Sequence, residues 1–440
     1  MESTITIKPK ITLFWFRRDL RWYDNHGLFR ALTVSKNVVP IFIFDKAILD
    51  FLPPNDSRVS FIHDRLSYLT DKRENLKISI YYGHPKEVFK TLIAEHEIDS
   101  VYANHDYEPY ARERDGKIKL LLEKHNILFR TFKDHVIFEK NEVVKADGTP
   151  YVVYTPFMRA WKRNFTHKKL PKYQSELYFR NVSKNFNYKF LSLEEIGFKQ
   201  SKQHISPYTI SDDMIRNYQK TRDFPAIKGT SKLGPHLRFG TVSIRNIVNK
   251  TKLEKNETFW NELIWREFFI QILWHFPHTQ NRALKPKYDR IPWRNAPVEF
   301  EKWCNGNTGY PLVDAGIREL NQTGFMHNRI RMLAASFLCK HLLIDWRLGE
   351  AYFALKLLDY EMASNVGNWQ WIAGSGADAA PYFRIFNPET QIQKFDKDYK
   401  YIKKWVPEFN DARYPSPMVD HRLARERCLR TYKEALLSYG

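Results

Sequence analysis

The sequence predicts a doubly wound α/β domain followed by an all-helical one, and three observations carry that reading. From Ile11 onward, short β-rich runs alternate with polar stretches of helical period. Past Ser206 the strand signals fade and apolar spacing becomes helical. Nine of the 12 tryptophans (260, 265, 274, 293, 303, 346, 369, 371 and 405) fall in that second part, which marks a core of a different kind. Strands alternating with helices are the pattern of a parallel sheet covered on both faces.

Taken in order, ITLFWF (11–16), VVPIFIF (38–44), LKISIYY (76–82) and DSVYAN (99–104) read as strands, with helices at 58–74 and 85–96 between them. No GxGxxG follows the first strand, so nothing there argues for a dinucleotide. The first domain is expected over residues 8–134. Residues 135–205, with the turn ADGTP (146–150) and the basic run THKKLPK (166–172), read as an irregular linker draped on the surface. Residues 206–440 read as the helical domain, where Leu263, Ile264, Phe268 and Leu273 form one apolar face and Leu333, Phe337, Leu338 and Leu342 another.

Composition narrows the function classes. With 440 residues and 43% hydrophobic content there is material for two or three packed cores, which excludes a disordered tail or a small stapled domain. Cys304, Cys339 and Cys428 stand in no CxxC spacing, so they build neither a disulfide framework nor a four-cysteine metal site. No convincing His/Cys metal spacing or nucleophile triad is seen, and no metal is expected. No apolar run reaches the roughly 18 residues of a membrane span, and MESTITIKPK lacks the apolar core of a signal peptide, so a cytoplasmic protein without a membrane partner is expected. The net charge of +20 suits a polyanionic partner as well as it suits a merely basic surface.

Four constellations could carry chemistry. On a helix, Glu262, Trp265 and Arg266 share one face at i, i+3 and i+4, which could hold a planar, hydrogen-bonding ligand or form an ordinary Glu–Arg pair. Asn328, Arg331 and Met332 fall on one helical turn, and an Asn and an Arg buried together would demand a polar partner. In 359–371, Trp369 lies at i+4 from Asn365 while Trp371 points elsewhere, so the two tryptophans would serve different surfaces. In 222–234, Thr230 and Ser231 follow a glycine and can cap a short helix, and with Lys232 they make a phosphate cradle. Any one tryptophan is more often packing than a redox or stacking group.

In this order, together with Phe14-Trp-Phe-Arg-Arg-Asp-Leu-Arg21 and Asp378-Ala-Ala-Pro-Tyr-Phe-Arg-Ile-Phe-Asn-Pro388, these motifs resemble the photolyase/cryptochrome family over roughly residues 11–435. The chain is most similar to the class I cyclobutane pyrimidine dimer photolyases. The resemblance implies an N-terminal antenna domain and a C-terminal domain that binds FAD and DNA. It places Tyr218, Thr230, Ser231, Lys232, Leu233 and Gly234 at the phosphates and ribityl chain, with Asn328, Arg331, Asp359 and Glu361 lining the rest. An Arg331–Asp359 ion pair would lie beside the isoalloxazine, and Asn365 would face flavin N5. Trp369, Trp346 and Trp293 match the electron-transfer chain from flavin to surface.

Glu262, Trp265, Asn328, Met332 and Trp371 match the wall that receives a flipped-out dimer, and Arg222, Arg266, Arg329 and Arg384 would contact DNA phosphates. The implied reaction is a lyase step on UV-damaged DNA: excited reduced FAD lends an electron, the dimer splits and the electron returns. A cryptochrome photoreceptor using the same flavin without repair is the alternative. The chain ends about where the helical domain should, without the C-terminal extension expected of a signalling member. A monomer is expected. Folate-antenna members carry Asn-Glu where this chain has Tyr110 and Ala111, and a lysine where it has Gln280. These departures argue against a folate and leave a deazaflavin, a second flavin or an empty site open.

Overall fold

The computed structural model describes residues 10–71, 76–166, 169–254 and 256–437. The polar N-terminus up to residue 9, the end of the helix expected at 58–74 and part of the basic run at 166–172 lie outside the described residues. Contacts divide the chain into two units, neither of them a single stretch: Met1–Glu139, Lys168–Ile205 and Gly234–Asn249 form the first, and Lys140–His167, Ser206–Leu233 and Lys250–Gly440 the second.

In the first unit, five parallel strands are seen among the described residues: β1 (Ile11–Phe16), β2 (Val38–Asp45), β3 (Ser79–Gly83), β4 (Ile98–Asn104) and β5 (Leu128–Phe132), in the order β3-β2-β1-β4-β5. β1 is central and buried at every position, which is why it reads as a nearly continuous apolar run, with Thr12 as its one polar residue, instead of an alternating one. Phe14 and Phe16 join the core on one face of the sheet, and Leu13 and Trp15 the core on the other. Helices α1 (His26–Val34) and α2 (Ser57–Asp71) contribute Leu28, Leu32, Leu66 and Leu69 to the first core. Helices α3 (Pro85–Glu95) and α4 (Pro109–Lys124) contribute Phe89, Leu92, Ile118 and Leu122 to the second. Asn25 caps α1 by accepting from the Leu28 N–H at 3.2 Å, and α3 and α4 each open on proline, whose missing N–H costs nothing there.

The second unit is helical: α5 (Tyr154–Thr166), α6 (Asp212–Thr221), α7 (Glu257–His275), α8 (Pro311–Thr323), α9 (Asn328–Ser336), α10 (Trp346–Lys356), α11 (Met362–Ala373) and α12 (His421–Leu437) are its main elements. Among the described residues no helix is long and apolar enough to cross a membrane.

The stretch expected as an irregular linker is divided between the units and carries core of both. Tyr154, Phe157, Trp161 and Phe165 form a buried helical stripe on α5, which packs against α7 and is pinned by the Trp161 indole donating to Glu267 Oε2 at 2.5 Å. Val182, Leu193, Ile196 and Phe198 belong instead to the first core of the sheet. The physical reason is apolar content: residues spaced three and four apart bury a face, and a surface strap would leave them wet.

Candidate active site

Helix α7 starts at the Asn256 cap, which accepts from the Phe259 N–H at 3.1 Å, and carries Glu262, Trp265 and Arg266 one turn further on, all half-buried. The i,i+4 Glu–Arg pair that the spacing allows does not form. Glu262 pairs with Arg222, the C-terminal cap of α6, while the Arg266 guanidinium reaches Glu361 at 3.1 Å. Burial pushes the Glu262 carboxyl above its ordinary range despite the pull of Arg222. The Arg222 guanidinium also lies 5.5 Å from the ring centroid of Tyr218. Trp265 has one face covered, because the Tyr154 ring stacks on it at 3.6 Å between centroids and 5° between planes.

Helix α9 places its three candidates differently from the expectation. Asn328 is its first residue and is exposed, so it is not buried together with an arginine. Arg331 instead closes a two-pronged ion pair on Asp359, at 3.1 and 2.8 Å, with its Nε donating to the Met326 carbonyl at 2.7 Å. Met332 is half-buried with its sulfur 3.8 Å from Arg329, whose other prong binds Asp223 at 2.6 Å.

Helix α11 confirms the spacing read from 359–371. Asn365 and Trp369 share its buried face, and Trp371 is half-buried on another, with the exposed Arg384 5.8 Å from its ring centroid. The Asn365 amide nitrogen donates to the Glu350 carboxylate at 2.9 Å and to the Glu350 carbonyl at 3.1 Å. That leaves the carbonyl oxygen of Asn365 to accept from a ligand N–H. Trp346 opens α10 behind an Asp345 cap and is buried, as is Trp369. Trp293 is half-buried, edge-on to Tyr432 at 6.0 Å. Gly349 lets the Trp369 ring lie against α10, since a Cβ there would sit 2.1 Å from it.

The cradle run is a loop. Lys232 adopts left-handed φ (57°), and the Ser231 hydroxyl accepts from Leu233 N–H at 3.3 Å within its own turn instead of capping a helix. Thr230 is half-buried and Leu233 buried, whereas Gly234 falls in the first unit, where it begins a five-residue helix. Whether these residues suit FAD can be tested on His327. Its Nδ1 accepts the Arg329 N–H at 3.2 Å, which puts the proton on Nε2, and that buried N–H has no partner among the described residues. Burial, with Lys232 and Arg331 nearby, lowers the imidazole pKa to about 4; burial lowers the Lys232 ammonium to about 8. An orphaned donor beside two cations calls for an anion rich in acceptors, and a diphosphate is one.

Comparison with known proteins follows the same lines. Residues 12–175 match the family model described as DNA photolyase, and residues 259–413 the one described as the FAD binding domain of DNA photolyase. A deoxyribodipyrimidine photo-lyase of Agrobacterium fabrum is 34% identical, with 97% of this chain and 98% of that protein covered. The chain belongs to the DNA photolyase family. An Escherichia coli photolyase is likewise 34% identical over 96% of this chain and 98% of its own. Among solved structures, a bacterial class III photolyase from Agrobacterium tumefaciens superposes with a TM-score of 0.87 at 33% identity, covering 98% of this chain and 99% of that one. A Sulfolobus tokodaii photolyase described with two FAD molecules gives 0.83 at 32% identity, covering 96% and 100%.

Tyr154, His327 and Glu350 escape the sequence reading, although each touches the site. Tyr154 heads a stripe whose spacing (154, 157, 161, 165) was the available signal. Nothing in the sequence points to Glu350, because its role depends on α10 and α11 lying side by side.

Proposed function

We propose that this member of the family repairs cyclobutane pyrimidine dimers in UV-damaged DNA, driven by blue light. The observation that carries the reading is that two half-buried tryptophans, Trp265 and Trp371, stand on helices α7 and α11 that pack directly on each other, with Trp265 one turn from a carboxyl group, Glu262, held by Arg222. Flat indoles stack on bases of any sequence, and a dimer that is already badly paired costs little to extrude. Glu262 and the exposed amide of Asn328 hydrogen-bond base edges, and Met332 adds apolar contact. Arg384 and Arg329 meet phosphates at the rim.

Lys232 and His327 would hold FAD at its phosphates, and Asn365 with the Arg331–Asp359 pair would hold it at its ring; when bound and reduced, the flavin would supply on excitation the electron that dimer splitting requires. Asn365 accepts a proton donor through its carbonyl oxygen because Glu350 fixes the amide's orientation. Trp369, Trp346 and Trp293 would relay electrons from an external reductant at the surface to the oxidised flavin. An antenna chromophore in the first unit belongs to the same reading. The Sulfolobus relative, described with two FAD molecules, supports a second flavin there over a folate. Tyr110, which stands where folate-antenna members have a polar pair, donates its hydroxyl to Asp45 at 2.6 Å.

The deciding experiment uses reduced, FAD-loaded protein, an oligonucleotide with one thymine dimer, and recovery of intact thymines in blue light against a dark control. Light-dependent recovery supports repair; its absence with reducible FAD present overturns repair and favours a photoreceptor. Trp265→Ala should weaken binding to dimer-containing DNA by about 1–3 kcal/mol, the usual worth of base–aromatic stacking. Unchanged affinity in a filter-binding titration would remove Trp265 from the substrate wall.

A further inference from the structure

We infer that Tyr154 is the positioning residue that sets Trp265 for the damaged base, and that the turn at Asp378 ties this support to Trp371. The inference rests on the reading of Trp265 and Trp371 as substrate walls. Tyr154 is buried, and its ring lies flat on the indole at 3.6 Å and 5°, in van der Waals contact face to face. Its hydroxyl donates to the carbonyl of Asn261 at 3.0 Å. Asn261 stands one turn before Trp265 on α7, so a single side chain holds both the indole plane and the backbone from which it projects.

The backbone around Tyr154 is held in turn. Asp378 donates its N–H to the Val152 carbonyl at 2.9 Å, two residues before Tyr154. Asp378 has left-handed φ (48°), and two residues later the Ala380 N–H donates to the Trp371 carbonyl at 3.2 Å. One short strap therefore reaches the support of the first tryptophan and the backbone of the second. Tyr154 takes one face of Trp265, and Phe268 (5.6 Å) and Phe269 (5.5 Å) also contact the indole, so a base that stacks on Trp265 would use the face opposite Tyr154. An indole whose plane is fixed at folding loses no rotamer freedom when a base stacks on it, whereas an unsupported one must be ordered by the ligand.

Tyr154→Leu keeps the buried stripe of α5 and removes the flat ring. In FAD-loaded protein, titrated in the dark, it should bind a thymine-dimer oligonucleotide roughly 3- to 10-fold more weakly, with undamaged oligonucleotide and FAD photoreduction unchanged. Tyr154→Phe, which keeps the ring, should restore binding to within about twofold. The discriminating step is a double-mutant cycle: in a Trp265→Ala background, Tyr154→Leu should cost nothing further. An equal loss with and without Trp265 means a structural role and overturns the proposal. Wild-type affinity in Tyr154→Leu while Trp265→Ala is weakened also overturns it and leaves the substrate reading standing. If both variants bind like wild type, the reading of Trp265 fails, and the proposal fails with it.

Discussion

Trp346→Phe should abolish photoreduction of oxidised flavin while chemically prereduced protein repairs at the wild-type rate. Trp346 and Trp369 are both 2% exposed and lie in one core, on helices α10 and α11 that pack against each other; Trp293 is half-buried at the edge of that core. Two buried indoles and one with solvent access are the arrangement a stepwise path to the surface needs, and phenylalanine preserves the packing while removing the oxidisable ring. The cofactor carries the redox chemistry, and the chain sets where the donors stand.

A control sits alongside. Trp303 is fully buried, 6.3 Å edge-on from Trp369, and spends its indole N–H on the Ala334 carbonyl at 3.1 Å. Replacing it by Phe should cost stability, through the lost volume and hydrogen bond, without stopping photoreduction. The measurement is the flavin absorbance change under steady blue light with an external reductant. Normal photoreduction in Trp346→Phe, or its loss in Trp303→Phe alone, would redraw the path through Trp303.

The legible and illegible parts of this chain divide on a physical line. Central strands β1, β2 and β4 and the helical faces of 263–273 and 365–369 were readable because burial on both faces or on one stripe writes itself into local spacing. β5 was not read: Leu128–Phe132 is a short edge strand, exposed or half-exposed at every position, and Arg130 and Thr131 break its apolar run. The linker was misjudged because the partner of α5, α7, lies about a hundred residues away in the chain, so nothing local shows what its apolar stripe packs against. In the site, Arg331–Asp359 was anticipated from the family pattern, whereas the actual partners of Glu262 and Arg266 could not be. Both have a local partner in sequence, and in the fold each takes a distant one, Arg222 and Glu361. Competition between local and tertiary pairs is settled by packing, which spacing does not encode.

Asp134→Asn should destabilise the first unit by about 3–5 kcal/mol, because it removes the one carboxylate that two buried arginines, Arg21 and Arg245, share. The carboxylate is 1% exposed and binds Arg21 at 2.6 Å and Arg245 at 2.8 Å; it also accepts the His26 N–H at 3.2 Å, at the start of α1. Arg245 further holds Asp24 at 3.0 Å. Segments from the loop after β1, the end of β5 and the stretch 234–249 thus meet on one carboxylate, and asparagine fills its shape without its charge. The pH dependence follows from the same geometry. Burial alone would raise the pKa of Asp134, but Arg21 and Arg245 outweigh it and hold the group well below the usual carboxylate range. A carboxyl whose pKa is depressed by folding contributes stability above its unfolded value of about 3.9, and that contribution is lost as pH falls through the folded value. Urea unfolding should therefore show the full gap between wild type and Asp134→Asn at pH 7 and a narrowing gap below about pH 4. A gap at pH 7 of under about 1 kcal/mol, the range of an exposed pair, would mean that solvent reaches this cluster and that the three segments are held together by their apolar contacts instead.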